Sequence, residues 1–286
     1  MMLPSMSVIS AVIPVHNRFE HLNETLASIF SQTRVPDEVV VVDDCSGIPL
    51  ETYLAQNPPP GPVKVFRSDR PRNVSGARNW GWRRAQGDLI AFNDSDDLWE
   101  PDKSRMQSEY LQEHPEVDGV YGPMLAFYPG GRTQPWAHDR PPSVDASTAL
   151  VDANMTVQTL MIRRQALERC GGFDERLKIL DDQAFAIEIG LHGLHVVFLG
   201  SPYVTLLRRN DRNFSSRAAR YFLDDCQVAL RYRHVSTRIF GPGSVRVHLS
   251  RAIVRFGRKR RYMGLPTRLL GRLLEVSAPA SRMPRL

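Results

Sequence analysis

Short apolar runs alternate with amphipathic stretches along the first hundred residues of the chain. Residues 22–30 carry apolar side chains at helical spacing, and residues 75–86 have a helical pattern that ends at Gly87. The apolar runs are rich in β-branched residues, as expected of buried strands, and cover residues 8–13, 38–42, 63–66 and 89–92. This alternation predicts an α/β fold with a mainly parallel central sheet flanked by helices.

The pattern is less regular beyond about residue 119. A long loop rich in Gly, Pro and Arg occupies residues 128–142, and everything after Arg217 is predicted to be helical. The other predicted elements are a strand over residues 119–127, a helix over 180–191, and strands over 195–199 and 203–207.

Composition excludes several classes of protein. The chain of 286 residues is 42% hydrophobic and 24% charged, which is typical of a globular protein and not of a disordered or fibrous one. Its three cysteines, Cys45, Cys170 and Cys226, are scattered, so they indicate neither a disulfide framework nor a zinc site, and they fit a reducing compartment. No run is long enough to cross a bilayer, and the first residues lack the pattern of a secretory signal. We therefore expect a cytoplasmic protein.

The net charge of +6 conceals an asymmetry. Residues 231–286 contain 14 Lys and Arg against a single acid, Glu275, whereas residues 1–230 contain 23 basic and 30 acidic residues. An acidic body argues against nucleic acid as a partner of that body. The basic end is a separate feature with its own interpretation.

Three carboxylates follow the strand predicted over residues 89–92, in the segment Asn93-Asp94-Ser95-Asp96-Asp97. They repel one another unless a cation joins them, and oxygen ligands favour a hard divalent ion such as Mg²⁺ or Mn²⁺. The alternative is a solvated acidic loop, with Asp102 capping the helix that follows.

A second acidic segment, containing Asp43 and Asp44, follows the strand over residues 38–42. Parallel sheets bind ligands beyond the carboxyl ends of their strands, and a carboxylate there can accept a hydrogen bond from an N–H of a nucleobase. Because Asp and Ser also favour turns, a simple turn is the alternative.

Two further segments carry polar groups at predicted helix starts. In residues 76–88, small residues and Arg78 suit an anionic group, while close helix–sheet packing through Gly76 and Gly81 is the alternative. In residues 171–182, Asp181 and Asp182 open a helix. An ionised Asp there can act as a general base, or simply be well placed at a helix N-terminus.

These four segments, in this order, resemble the family 2 inverting glycosyltransferases, which have the Rossmann-like GT-A fold. The resemblance is dense from Ser7 to about Lys103, resumes at Cys170 and fades after about Ser215. It is carried by residues 13–18, 32–44, 77–88, 90–99 and 171–182. It implies a GT-A domain over residues 1–215, with a nucleotide-sugar half of about 1–118 and an acceptor half of about 119–215. A basic helical C-terminal extension, residues 216–286, would follow.

The resemblance also implies roles for individual residues. Asp94 and Asp96 would form the D-x-D pair that binds Mn²⁺ or Mg²⁺, with Asp96 in direct contact with the metal. Asp182 would be the base that takes the proton of the acceptor hydroxyl, which gives single displacement with inversion. The nucleoside diphosphate sugar would be held by Pro14, Val15, Asn17, Asp43, Asp44, Arg78 and Asp94.

The sequence departs from the family pattern at three places. Asn93 stands where the family usually has an apolar residue, and Asp181 precedes the base where Glu is frequent. A histidine after the last core strand is replaced by Asn210, beside Asp211. The Q-x-x-R-W signature of processive synthases is absent, so we expect the transfer of one sugar to a glycan or lipid-linked acceptor, in cell-surface glycan or glycolipid synthesis.

The basic end leaves two interpretations open. Leucines spaced at i, i+4, i+5, i+8 and i+9 from Leu265, with arginines between them, predict a helix. Along residues 255–275 this helix either lies on an anionic membrane surface or packs on its own domain. RNA binding is disfavoured because no aromatic stacking platform accompanies the arginines. The expectation is a cytoplasmic enzyme, peripheral at the inner face of the cell membrane, with no nucleic acid partner.

Two other functions remain compatible with these residues. A nucleotidyltransferase acting on sugar phosphates would share the nucleotide-binding sheet and the acidic metal site. A non-catalytic module that binds sugar nucleotides or membranes would share the donor-binding residues alone.

Overall fold

The computed structural model describes residues 7–128, 130–136, 142–151, 155–177, 180–200, 204–208, 218–242, 244–245 and 249. Within these residues the strands are β1 (Ile9–Val15), β2 (Glu38–Asp43), β3 (Lys64–Arg67), β4 (Leu89–Phe92), β5 (Leu98–Trp99), β6 (Gly119–Tyr121), β7 (Met124–Phe127), β8 (Thr133–Trp136), β9 (Met161–Arg163), β10 (Val196–Phe198) and β11 (Thr205–Arg208). The helices are α1 (Leu22–Phe30), α2 (Leu50–Gln56), α3 (Asn73–Arg84), α4 (Lys103–Glu113), α5 (Ala146–Val151), α6 (Arg164–Cys170), α7 (Asp181–Leu191), α8 (Ala218–Arg231) and α9 (Arg233–Phe240), with a 3-10 turn at Val157–Thr159.

The central sheet has seven strands in the order β10-β6-β9-β4-β1-β2-β3. β9 runs antiparallel to both of its neighbours, and the other pairs are parallel. Val12 of β1 is in register with Val40 of β2 and with Phe92 of β4. The chain therefore leaves all three strands at the same edge of the sheet.

The apolar run over residues 119–127 is divided between two sheets. β6 belongs to the central sheet, whereas β7 belongs to a second sheet of order β5-β11-β7-β8. The chain passes from one sheet to the other at Gly122 and Pro123, and a Cβ on Gly122 would lie 2.9 Å from Val204. Hydrophobicity alone predicted one continuous strand because both pieces are apolar.

Side chains of β1 and β2 alternate between two cores, as the twofold period of a strand requires. Val12, Val40 and Val42 face α3 and α7, while Ile13 and Val41 face α1 and α2. α3 lies very close to the sheet, because a Cβ on Gly81 would be 2.5 Å from Val12 and 3.0 Å from Val42. Close packing is thus what Gly81 contributes.

The helices after residue 217 pack on the sheet domain. Val228, Tyr232, Val235 and Phe240 belong to the same core as α7, and the Tyr232 hydroxyl donates a hydrogen bond of 2.7 Å to Glu188. The division of the chain at residue 215 remains a prediction. Asn210, Asp211 and the helix predicted over 255–275 lie outside the described residues. Within the described part, none of the helices is both long and apolar enough to span a bilayer.

Candidate active site

Polar residues from five elements meet at the edge where β1, β2 and β4 end. His16 and Asn17 follow β1, Asp44 follows β2, and residues 93–97, here called the acidic loop, follow β4. α3 contributes Arg78, and the first turn of α7 contributes Asp181 and Asp182.

Arg78 lies at the centre of this site. It is 3% exposed, and its Nη2 donates a hydrogen bond of 2.7 Å to Asp94 Oδ1. Its Nη1 donates to Asp181 Oδ2 and lies 3.7 Å from Asp182 Oδ1. One guanidinium therefore joins the acidic loop to the start of α7. The resemblance implied that Arg78 helps to hold the nucleoside diphosphate sugar, whereas in the structure its terminal nitrogens face carboxylates of the chain itself.

One cation facing three carboxylates leaves an excess of negative charge, and this excess shifts the pKa values of the site. Burial raises the pKa of Asp182 to about 8, helped by the charges of Asp181 and Asp94 and opposed by Arg78. Burial also raises the pKa of Asp181 despite its contact with Arg78. Burial acts to lower the pKa of Arg78, but the carboxylates hold that pKa above its ordinary value. Asp182 remains 26% exposed, so it can be reached from solvent.

The acidic loop is a two-carboxylate site. Burial and the neighbouring charge of Asp94 raise the pKa of Asp96, a penalty that a bound cation would relieve. Among the described residues no cluster of three or more His, Cys, Asp or Glu side chains is arranged for a metal. Mg²⁺ needs only one or two carboxylates when water and substrate phosphates complete its shell, and Mn²⁺ accepts the same oxygen donors. Asp94 and Asp96 therefore fit a metal that the donor completes.

Asn93, which departs from the family pattern, fastens the acidic loop. It is fully buried, and its Nδ2 donates a hydrogen bond of 2.9 Å to the backbone carbonyl of Asp97. Asp102 stands at the N-cap position of α4 but makes no side-chain capping bond. Its carboxylate instead accepts hydrogen bonds from Thr33 and Arg105, so helix capping does not explain it.

A cavity of about 580 Å³ opens among the segments that follow β1, β2 and β3. Asp44 lines this cavity and is buried. Its Oδ1 accepts a hydrogen bond of 2.7 Å from the backbone N–H of Arg72. Burial raises the pKa of Asp44, and this bond partly offsets the rise. The lining residues are His16, Asp44, Arg70, Pro71, Arg72, Asn73 and Glu175. The cavity walls thus carry arginines, which can pair with phosphate, and carboxylates, which can accept hydrogen bonds from hydroxyl or N–H groups.

His16 and Asn17 hold the two loops of the cavity together. His16 Nδ1 lies 2.7 Å from the carbonyl of Asp44, and its Nε2 lies 2.8 Å from Asn17 Nδ2. This geometry assigns the proton to Nδ1, because Nε2 must accept from the amide. Asn17 Oδ1 then accepts a hydrogen bond of 2.8 Å from the N–H of Gly47. Asn17 itself has a φ of 56°, an uncommon conformation that this network stabilises.

Asp43 has a different environment from Asp44. Its carboxylate is fully buried and accepts hydrogen bonds from the N–H groups of Ser46, at 2.8 Å, and Leu50, at 3.1 Å, and from Arg67, at 2.5 Å. Burial acts to raise the pKa of Asp43, but these hydrogen bonds and the charge of Arg67 hold it below its ordinary value. Asp43 therefore shapes the turn that presents Asp44, and it does not line the cavity.

Pro14 and Val15 are the last residues of β1, in register with Val42 and Asp43. Both are buried in the sheet and support the loop that carries His16. Sequence reasoning assigned no role to Glu175, Arg70 or Asn73, although each lines the cavity. Glu175 lies in the 171–182 segment, so a search of that segment for a second acid would have found it.

The sequence also indicated no role for Asn79. It is 2% exposed; its Oδ1 accepts a hydrogen bond of 2.9 Å from the N–H of Phe173, and its Nδ2 donates to Glu175 Oε1, also at 2.9 Å. A Cβ on Gly172 would lie 2.4 Å from Asn79 Oδ1, so the loop can approach α3 this closely only with glycine there. Asn79 ties the segment before Asp182 to the helix that carries Arg78.

A family model described as Glycosyl transferase family 2 matches residues 10–171, which is more than half of the chain. This chain belongs to glycosyl transferase family 2. The matched region contains the cavity loops, Arg78 and the acidic loop, and ends just before the segment that carries Asp182.

The chain is similar to an uncharacterised glycosyltransferase of Haemophilus influenzae, with 25% identity over 184 residues. It is also similar to the putative teichuronic acid biosynthesis glycosyltransferase TuaG of Bacillus subtilis, with 29% identity over 159 residues. The alignments cover 64% and 55% of this chain, and 62% and 63% of the respective relatives. The chain thus spans less than two thirds of the length of these relatives.

Two solved structures have the same fold. TarS residues 1–349 of S. aureus, in complex with UDP-GlcNAc, match 92% of this chain with a TM-score of 0.67 and 20% identity, over 76% of the TarS chain. The mannosyltransferase PcManGT of Pyrobaculum calidifontis, in complex with GDP-Man and Mn²⁺, matches 96% with a TM-score of 0.64 and 19% identity, over 82% of its chain. The predicted GT-A fold, a mainly parallel sheet flanked by helices, is confirmed.

Proposed function

We propose that the chain is an inverting glycosyltransferase that moves one sugar from a nucleoside diphosphate sugar to a hydroxyl of a glycan or lipid-linked acceptor. The observation that carries this proposal is the Arg78 cluster, which joins Asp94 of the acidic loop to Asp181 and lies 3.7 Å from Asp182. A candidate base and the candidate metal loop are thereby held around one guanidinium, and the polar cavity opens at the same edge of the sheet, where β1 and β2 end.

The donor occupies the cavity in this proposal. The buried carboxylate of Asp44 accepts a hydrogen bond from an N–H of the base, while Asn17 and His16 keep the cavity loops in place. Asp94 and Asp96 would hold Mn²⁺ or Mg²⁺. The bound metal would neutralise the charge that develops on the leaving diphosphate.

Asp182 acts as the general base. The acceptor oxygen attacks the anomeric carbon as its proton passes to the Asp182 carboxylate, and the bond from that carbon to the diphosphate oxygen breaks. The nucleoside diphosphate leaves with the electron pair of that bond. A single displacement inverts the anomeric centre and requires no covalent intermediate. Arg78, 3.7 Å away, keeps Asp182 in place, and the raised pKa of Asp182 makes its carboxylate a stronger base than an ordinary aspartate.

The relatives support a role in polysaccharide synthesis. TuaG is named for teichuronic acid biosynthesis, and ExoO of Rhizobium meliloti, which is 38% identical over 101 residues, is named for succinoglycan biosynthesis. We accordingly place the acceptor among cell-surface glycans and glycolipids. We also propose a cytoplasmic enzyme that is peripheral at the inner membrane face through residues 255–275. Deleting residues 257–286 should then abolish co-sedimentation with anionic vesicles and leave donor turnover unchanged.

Release of nucleoside diphosphate from UDP-, GDP- and dTDP-sugars in the presence of Mn²⁺ tests the function. We expect one donor to be turned over, and Asp182→Asn to lower the rate by about 10²–10⁴-fold, the usual contribution of a general base. Asp96→Ala should abolish turnover. Asp102→Asn is the matched control, because this exposed carboxylate pairs only with Thr33 and Arg105 among the described residues.

Two outcomes would contradict the proposal. Unchanged turnover in Asp182→Asn would show that Asp182 is not the general base. Release of pyrophosphate from a nucleoside triphosphate and a sugar phosphate, with no turnover of nucleotide sugars, would instead identify a nucleotidyltransferase.

A further inference from the structure

A row of polar side chains on α1 and just beyond its end is hydrogen-bonded to the backbone that follows β4. The Thr25 hydroxyl lies 3.0 Å from the carbonyl of Ser95 and 3.0 Å from that of Asp97. One turn further, Ser28 Oγ accepts a hydrogen bond of 3.0 Å from the N–H of Trp99. Gln32 Nε2 then donates a hydrogen bond of 2.7 Å to the carbonyl of Glu100. Residues 95–100 are therefore tethered along one side of this helix.

α1 is a rigid support for these tethers. Leu22, Leu26 and Ile29 are fully buried in the core beneath the sheet, and Thr25 lies among them with no exposed surface. A hydroxyl buried in an apolar face is unfavourable unless it is hydrogen-bonded. In this fold its partners are the two carbonyls of the acidic loop.

The two carbonyls that the Thr25 hydroxyl contacts belong to the residues on either side of Asp96. Ser95 and Asp97 are its two neighbours, and the carbonyl of Asp97 also accepts the hydrogen bond from Asn93 Nδ2 at 2.9 Å. The Ser95–Asp96 peptide is held through its carbonyl by Thr25, and the N–H of Asp97 donates a hydrogen bond of 3.3 Å to the carbonyl of Asp94. The backbone from which the Asp96 carboxylate projects therefore has little freedom. The carboxylates of Asp94 and Asp96 repel each other in the absence of a cation, so their approach has to be enforced by the surrounding structure.

We propose that Thr25 is a positioning residue for the divalent cation: its hydroxyl holds the acidic loop in the shape in which Asp94 and Asp96 bind the metal. This inference rests on the proposed function, since it requires that the loop binds Mn²⁺ or Mg²⁺. It adds a residue on α1 that does not itself touch the metal or the donor.

Thr25→Val tests the hydroxyl, because valine keeps the shape of threonine and removes only the hydrogen bond. Thr25→Ser keeps the hydroxyl and should rescue the effect. Thr33→Val is a matched control: this exposed threonine makes the same kind of contact, at 3.3 Å to the carbonyl of Pro101 and 2.8 Å to Asp102, but does not touch residues 93–97.

The measurement is Mn²⁺ binding by electron paramagnetic resonance of the free ion, in the presence of UDP or GDP. We expect Thr25→Val to weaken Mn²⁺ binding roughly three- to tenfold, the equivalent of one net hydrogen bond. Thr25→Ser and Thr33→Val should stay within twofold of the parent chain. The affinity for the nucleoside diphosphate without metal should change by less than about twofold, since α1 does not line the cavity. If Thr25→Val does not fold, Thr25→Ala takes its place with the same expected result.

The outcomes separate the inference from the function on which it rests. Unchanged Mn²⁺ affinity in Thr25→Val, with normal binding by the parent chain, would overturn the role of Thr25 alone. Equal loss of metal and nucleotide affinity would also overturn it, because that result indicates general damage to the fold. If the parent chain binds no Mn²⁺ with either nucleotide, the proposed metal role of the acidic loop fails as well.

Discussion

Arg78 and Lys103 are both buried cationic side chains, but their surroundings differ. Arg78, on α3, faces the carboxylates of Asp94, Asp181 and Asp182. Lys103, in the first turn of α4, is 1% exposed, and the described part of the chain provides it with no carboxylate partner. Its Nζ donates a hydrogen bond of 2.9 Å to Gln107 Oε1 and lies 4.3 Å from the centre of the Trp99 ring.

The pKa values move in opposite directions as a result. The carboxylates raise the pKa of Arg78 against the effect of burial, whereas burial alone lowers the pKa of Lys103 to about 7. A buried charge survives where it is paired, and otherwise the group tends to lose its proton. Arg78 lies between the acidic loop and the first turn of α7, whereas Lys103 belongs to the packing between α4 and β5.

Removing the paired cation should have the largest effect. Arg78→Met leaves three carboxylates facing one another, so we expect the free energy of unfolding to fall by about 3–5 kcal/mol, as for other broken buried ion pairs. Urea denaturation measures this quantity. Arg105→Met is the control, since this exposed arginine also has two carboxylate partners, Asp102 and Glu109, and should change stability by less than about 1 kcal/mol. Equal losses of stability in Arg78→Met and Arg105→Met would show that the buried ion pairs of Arg78 stabilise the fold no more than exposed ones.

Removing Lys103 should instead raise the free energy of unfolding. Lys103→Met eliminates the cost of burying an amino group and leaves one acceptor on Gln107 without its donor. We expect a net stabilisation on the order of 2 kcal/mol at pH 7. Lys64→Met is the control, because Lys64 has a carboxylate partner, Glu38, at 2.7 Å, and its loss should destabilise the chain slightly.

The pH dependence of the Lys103→Met effect follows from the direction of the pKa shift. The pKa in the folded state lies below that of the unfolded chain, so only the unfolded state takes up a proton between about pH 10.5 and pH 7. The cost of burying Lys103 is therefore absent above about pH 10.5, grows as the pH falls, and is constant below about pH 7. Urea unfolding at pH 7 and pH 10 should show the larger stabilisation at pH 7. A stabilisation independent of pH would contradict this account.

The smallest expected effect concerns the proton on Asp182. With a pKa of about 8, the base is largely protonated at pH 7, so kcat/KM for donor turnover should rise about tenfold per pH unit below pH 8 and level off above it. Asp181→Asn removes a like charge that raises the pKa of Asp182, so the rise should move to lower pH. A pH profile that is identical in Asp181→Asn and the parent chain would show that the two carboxylates are not coupled.

Much of the site was predictable because it depends on where strands end. The apolar runs that form β1, β2 and β4 are followed directly by the polar residues of the cavity and the acidic loop, and the carboxyl ends of parallel strands share one edge. The placement of Asp44, Asp94 and Asp96 at that edge follows from the sequence. Their individual partners do not follow, since they come from elements far away along the chain.

Asp43 and Asp44 illustrate this limit. They are chemically identical neighbours, and the sequence offered a nucleotide contact or a turn for both. In the structure the Asp43 carboxylate holds the turn, through hydrogen bonds with Ser46, Leu50 and Arg67, whereas Asp44 lines the cavity. The choice depends on which oxygen atoms already have donors, and Arg67 is brought to Asp43 only by the pairing of β3 with β2.

The sequence by itself determined the α/β class, the order of its motifs and the family to which the chain belongs, because these depend on local periodicity and on which residues follow each strand. Only the tertiary structure decided that Arg78 pairs with an aspartate 103 residues away, that Lys103 is buried against Gln107 and Trp99, and that Thr25 supports the acidic loop. Those outcomes depend on which faces of α1, α3 and α4 meet the sheet. Ion pairs and hydrogen bonds act over only a few ångströms, so packing across distant elements decides which groups become partners.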